Sequence, residues 1–348
     1  MPTLAENCAI AGQLSVSLEF FIVLVVRISV SSFGMGLLLM TVWKYGLYSN
    51  FNLQARILFV TNNIVLLLYC FALTTCNFID FLRFFAFRHK NPCDYLIYGF
   101  LSFLNRAFPN FLEYTLTFGL FTTVIERVVA TVAWKTYEAG NGARLAIAFV
   151  FLQFIGATCI MLTLAEGFDF TEILVSSTVV SVRCITRFKF IKVIQSLMLT
   201  VSLVILMCIY KVNAGRYWMY QKGLNCRYQV RENLRAFYSI LPLLASFGIF
   251  QLITSIIQFL NGNVQTAEVI IWIEKGSLAP FMFVTIPVTL YTFRVKGLFR
   301  KATIRPHVPD VEIYAINEKM MFAGPKEIVC FKMHGCRSHI KVKLNQSF

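Results

Sequence analysis

Residues 95–131 read YLIYGFLSFLNRAFPNFLEYTLTFGLFTTVIERVVAT, and the reading of this stretch decides the fold. At ~1.5 Å of rise per residue it exceeds what a helix needs to cross the ~30 Å hydrocarbon layer of a bilayer. Its interior is not purely apolar. Asn105, Arg106, Asn110 and Glu113 fall in its first half, where each is costly to leave facing lipid. The stretch ends on Glu126-Arg127 followed by Val128-Val129-Ala130-Thr131, two charges placed where a lipid-buried helix meets water. One helix therefore offers two candidate sites, a polar face in its first half and a charged far end.

Comparable apolar runs lie on both sides of it. Counting this one as 96–128, we expect spans at about 20–43, 57–79, 96–128, 143–164, 190–210, 237–260 and 269–293. Each reaches the ~20 residues that an α-helix requires. With 57% hydrophobic and 14% charged residues and a mean hydropathy of +0.68, the chain falls in the membrane class rather than among soluble domains. The expected fold is all-α, a seven-transmembrane helix bundle. Residues 1–19 form an amino-terminal segment, 20–293 the membrane domain and 294–348 a tail. In that tail 295–304 alternates basic and apolar residues, the pattern of a short helix lying on a membrane surface. Residues 1–17 lack the basic start of a signal peptide, so the first run is read as a span that is kept.

The formal charge of +15 would suggest a nucleic-acid partner if it were gathered on one soluble face. Here the basic residues occupy the gaps between apolar runs, which is a topology signal and excludes that partner class. Lys211, Arg216, Lys222, Arg227, Arg231 and Arg235 lie between spans five and six, and Arg294, Lys296, Arg300, Lys301 and Arg305 follow span seven. No Lys or Arg precedes Arg27. The positive-inside rule then puts the amino terminus outside and the tail in the cytoplasm. Arg183, Arg187, Lys189 and Lys192 oppose this bias on the outer side.

Arg106, Asn110, Glu113 and Thr117 are spaced by four, three and four, and so share one helix face. Counted by helical rise, Arg106 and Glu113 lie ~31 and ~21 Å from Arg127, and Arg27 and Glu274 reach a similar outer depth in their own spans. These six residues form a candidate outer pocket for a small molecule. The alternative is that they only pair with one another between helices, or that Arg27 snorkels to the interface.

Four motifs carry a resemblance to a known family. Asn91-Pro92-Cys93-Asp94 precedes span three, Glu126 to Thr131 ends it, Tyr137-Glu138 lies in the second inner loop, and Arg227-Tyr228-Gln229-Val230-Arg231-Glu232-Asn233-Leu234-Arg235 precedes span six. Together they resemble the nematode serpentine chemoreceptors of the Sra superfamily, class alpha/beta first, with classes epsilon, beta and alpha as near relatives. The resemblance covers roughly 18–300. It implies a plasma-membrane receptor of a sensory neuron that binds a small chemical cue and activates a heterotrimeric G protein. It also implies coupling through Glu126 and Arg127, with Arg227, Arg231 and Arg235 as the basic inner face, and a disulfide between Cys93 and Cys184. Cys8 remains a rival partner in that bond. Rhodopsin-like details do not transfer: Val128 stands where those receptors have Tyr, and Ile286 where an Asn would precede Pro287.

Motifs for catalysis are missing. No His-Glu-x-x-His, Gly-x-Ser-x-Gly, Cys-x-x-Cys or phosphate-binding loop occurs, so no enzyme, cofactor or metal is expected. The remaining functional alternative is a multi-span transporter or channel for a small solute. That reading asks for midplane charges and two repeated halves, whereas the charges here cluster toward one side.

Overall fold

The computed structural model describes residues 3–41, 53–87, 89–133, 142–176, 184–219, 224–261 and 266–275. Its helices are α1 (Leu4–Val16), α2 (Leu18–Thr41), α3 (Leu53–Phe81), α4 (Gly99–Val132), α5 (Gly142–Glu166), α6 (Ile185–Met219) and α7 (Leu224–Asn261), with α8 over 267–275. Six of them, α2 to α7, are long and apolar enough to cross a membrane. The expected seventh span, 269–293, begins as α8, and its remainder lies outside the described residues. So do 295–304 and the rest of the tail.

Helical backbone outruns the apolar runs. α7 starts at Leu224 rather than near 237, so the Arg227–Arg235 motif lies on the helix and not in a loop. α6 spans 35 residues, about 52 Å of rise against a ~30 Å hydrocarbon layer. Phe33, Leu104, Phe151, Phe190 and Phe259 are more than half exposed, an arrangement that suits a lipid-facing surface.

The centre of the bundle is α4, which packs against α3, α5, α6 and α7. Two-thirds (67%) of its apolar window is buried, against 22% for α5, so α4 is a core helix and α5 a peripheral one. Leu112, Leu116, Leu120 and Val124 of α4 meet Val65, Leu66 and Leu73 of α3, Leu199 and Leu206 of α6, and Phe237, Leu244 and Phe247 of α7. Close approach of α3 is possible because residue 119 is Gly: a Cβ there would lie 2.2 Å from Asn62 Oδ1. Asn62 uses that proximity to donate to Gly119 O (3.2 Å) and Thr123 Oγ1 (2.9 Å). Pro109 sits inside α4 and has no N–H to give the carbonyl four residues back. That carbonyl, Asn105 O, instead accepts from Cys76 Sγ of α3 at 2.8 Å.

One end of the bundle is capped. β1 (Ile97–Tyr98), just before α4, pairs antiparallel with β2 (Ile173–Leu174) from the α5–α6 connection. Gly99 N donates to Glu172 O at 2.7 Å and Phe100 N to Phe170 O at 3.1 Å. A Cβ on Gly99 would meet the Asp169 and Glu172 carbonyl oxygens at 2.8 and 2.9 Å, so only glycine permits this join. The expected amino-terminal segment contains a helix, α1, opened by a capping box between Thr3 and Glu6. Ala11 and Leu14 of α1 are fully buried with Phe20 and Leu24 of α2, Phe84, Tyr95, Val175, and Ala267, Ile270 and Ile271 of α8. α1 thus closes over the ends of α2 and α8.

This cap corrects the disulfide expected between Cys93 and Cys184. Cys93 is bonded to Cys8, with Cα atoms 4.5 Å apart. α1 lies against the 3-10 turn Pro92–Tyr95, which brings Cys8 rather than the α5–α6 connection to Cys93. Cys184 is instead fully buried beside Phe168 and Leu174. The tie between α4 and the α5–α6 connection, which a Cys93–Cys184 bond would have supplied, is made by the β1–β2 pair.

Candidate functional site

Polar side chains on α4 fall into three layers along the bundle, each joined to different helices. The first lies just beneath the cap. Arg27 of α2 forms an ion pair with Glu274 of α8. Arg106 Nη2 of α4 lies 3.3 Å from Asp80 Oδ2 of α3 and 3.4 Å from Glu274 Oε1. Arg83, in the π-helical turn Leu82–Ala86 that extends α3, reaches Asp80 Oδ1 at 3.2 Å and donates to Val175 O at 3.0 Å. The Arg27 side chain is only 2% exposed. Ser31, one turn further along α2, donates to Arg27 O and accepts from Thr74 of α3 at 2.7 Å, which fixes α2 against α3 at this depth.

The second layer lies two helical turns deeper. Glu113 Oε1 accepts from Lys192 Nζ and Gln195 Nε2 (3.3 Å) of α6 and from Gln251 Nε2 (2.6 Å) of α7. Gln195 also donates to Thr117 Oγ1 at 2.7 Å. Glu113, Lys192, Gln195 and Gln251 are all buried, and the Lys192 ammonium sits 5.5 Å from the ring centres of both Tyr114 and Phe188. A carboxylate held by one cation and two amides is a desolvated, specifically oriented group.

The third layer closes the opposite end. Arg127 Nε donates to Glu126 Oε2 at 2.5 Å, Nη2 donates to Glu126 Oε1, and Nη1 donates to Asn233 Oδ1 of α7 at 3.1 Å. Both charged residues are buried, at 0% and 2% exposure. One turn on, Thr131 Oγ1 accepts from Asn213 Nδ2 of α6 at 3.0 Å, and Thr131 O accepts from Arg216 Nη1 at 2.5 Å. A small cleft lined by Ala55, Phe59, Thr123, Glu126, Arg127, Ala236 and Ile240 opens beside the pair.

The six expected pocket residues are thus divided. Arg27, Arg106 and Glu274 share the first layer, Glu113 and Thr117 the second. Asn110 Nδ2 instead donates to Arg106 O at 2.9 Å, a backbone contact next to the proline. The side chains of Arg227, Arg231 and Arg235 lie outside the described residues, although their backbone belongs to α7.

Sequence reasoning missed Asp80, Lys192, Gln195, Gln251 and Asn233 as partners. Asp80 had a readable signal, an acid ending an apolar run with Arg83 three residues on, as helix-face neighbours are spaced. By sequence Lys192 reads as an outer charge opposing the orientation bias. It is a buried member of the second layer, 4% exposed, and leaves that count. Among the described residues no group of three or more His, Cys, Asp or Glu side chains could hold a metal ion.

Comparison with protein families matches residues 5–304 to the family described as serpentine type 7TM GPCR receptor class ab chemoreceptor. No curated protein sequence matches the chain. The match takes in every described helix but the first residue of α1, and with it all three layers, so the chain belongs to the serpentine class ab chemoreceptors, a family of seven-transmembrane G-protein-coupled receptors.

Proposed function

We propose that this chemoreceptor binds a small chemical cue between the cap and the second layer, and activates a heterotrimeric G protein at the Glu126–Arg127 end. The cap then faces outside and the tail the cytoplasm, of a plasma membrane whose lipids cover the exposed apolar surface. Arg127, buried yet extended across to Asn233 of α7, is the observation that supports this reading best. A guanidinium satisfied by one carboxylate and one amide from a neighbouring helix stabilises a closed packing of α4 against α7. Its release would free a cation and part the helix ends, as a partner entering from the cytoplasm requires. Glu126 acts as the local counter-charge, and Arg227, Arg231 and Arg235 on α7 extend the basic surface that such a partner meets.

The test is G-protein recruitment by full-length receptor in cells, comparing wild type with Arg127→Ala at matched surface expression. We expect recruitment to fall at least tenfold. Equal recruitment by the two would remove Arg127 from coupling. Epitope tags at both termini, read on intact cells, check the orientation: only the amino-terminal tag should be accessible.

A further inference from the structure

We propose that the layer beneath the cap is a binding site for a monoanionic carboxylate with an apolar body, which rests on the receptor reading for its role but not for its binding. The charge count is the first ground. Arg27, Arg83 and Arg106 contribute three positive charges and Asp80 and Glu274, which they share, two negative ones, so that among the described residues the layer carries a net charge of +1. No balancing acid can come from 177–183 or 276–293, since neither stretch contains Asp or Glu. Glu113, the next acid along α4, already takes Lys192. A surplus positive charge in a low-dielectric site is unfavourable and is relieved by a counter-anion.

Unused donors are the second ground. Arg27 Nε, Arg83 Nε and Nη1, and Arg106 Nε are buried and have no hydrogen-bond partner among the described residues. Buried donors of this kind are rare in folded proteins, and guanidinium N–H groups match the oxygens of a carboxylate. A single surplus charge suits a monoanion rather than a phosphate dianion.

The surroundings specify the rest of the ligand. One turn outward from the ions lie Leu24 on α2, Phe84 in the turn after α3, and Ile270 and Ile271 on α8, all in the cluster that Ala11 and Leu14 of α1 complete. A carboxylate reaching the arginines would bring its own carbon chain against these side chains. α1, tied by Cys8–Cys93, covers the site from the outside.

The experiment is thermal unfolding of full-length receptor in a non-ionic detergent, with straight-chain carboxylates of about four to ten carbons and their methyl esters as probes. We expect at least one carboxylate to raise the unfolding temperature by ~5 °C at saturation while its ester does not. Arg27→Gln should abolish the shift and Arg27→Lys should keep it. Asp80→Asn, which raises the surplus charge, should tighten binding severalfold. If no carboxylate stabilises the receptor, if esters do so equally, or if Asp80→Asn weakens binding, the site is refuted. Recruitment assays separate this from the coupling proposal: carboxylate binding without recruitment counts against coupling alone, and recruitment without carboxylate binding against the anion site alone.

Discussion

Replacing Glu113 by Gln tests whether the second layer holds α6 and α7 to α4 by charge. The amide keeps an oxygen for Gln195 and Gln251, whose Nε2 groups lie 3.3 and 2.6 Å from Glu113 Oε1, so the change removes mainly the counter-charge of Lys192. Lys192 is 4% exposed and cannot recover water without opening the bundle. Breaking a buried pair by neutralising one partner costs about 3–5 kcal/mol. For a chain of this size that corresponds to a fall of ~5 °C in unfolding temperature. Lys192→Met alone should cost a similar amount, since it leaves the carboxylate with two neutral donors. The double variant, Glu113→Gln with Lys192→Met, removes both charges and should recover to within ~1 kcal/mol of wild type. The assay is thermal unfolding of the four purified proteins in one detergent. Additive losses in the double variant would refute the pairing, and so would a Glu113→Gln shift below about 1 °C.

Three further outcomes follow from particular contacts. Asn233→Ala removes the acceptor of Arg127 Nη1; a hydrogen bond to a charged group is worth ~1.5–3 kcal/mol, so ligand-independent G-protein activation should rise about tenfold or more, and unchanged basal activity would argue against an α4–α7 lock. Cys8→Ser should free α1 and lower the unfolding temperature, because a bond across 85 residues of sequence is in the range of ~4 kcal/mol, and peptide mapping of unreduced protein should recover Cys8 joined to Cys93 in wild type. Gly119→Ala places a Cβ against Asn62 Oδ1 and should destabilise by ~1–3 kcal/mol; adding Asn62→Ala should restore part of that loss, and no rescue would mean that the strain lies elsewhere.

Hydropathy alone made the helical bundle legible, because the cost of an unpaired backbone in hydrocarbon forces each apolar run of sufficient length into a helix. It was a poorer guide to where helices stop. α6 and α7 continue well past their apolar parts, because a helix that has left hydrocarbon can go on through polar residues without a break in its backbone pattern. α1 was invisible to a count of spans: only 13 residues long, it is fixed by a capping box and by burial against α2 and α8 rather than by lipid. That helix also decided the disulfide, which spacing left open among three cysteines. The polar face of α4 was readable from its period of three and four, but one face of a helix meets several neighbours along its length. Whether Arg106 and Glu113 share a site therefore depended on which helices carry Asp80 and Lys192, and crossing geometry is not written in hydropathy.

The division of that face has a mechanical consequence. Arg106 and Glu113 are separated by ~10 Å of helical rise, and Glu113 and Arg127 by ~21 Å. The layer under the cap draws its partners from α2, α3 and α8, whereas the second and third layers both draw theirs from α6 and α7. A change confined to the first layer moves α4 relative to helices that do not touch Arg127 through any of these bonds. To reach the far end it must shift α4 itself, and Glu113 is the point at which such a shift is first felt by α6 and α7. Pro109 lies between Arg106 and Glu113, where the lost backbone hydrogen bond makes α4 easiest to bend. A ligand can bias this two-state packing only by its difference in affinity for the two arrangements. Under the proposed function, the residues that would set the size of the response are accordingly those flanking the proline, and the Glu113 layer, not the arginine at the helix end, is where strength of coupling would be tuned.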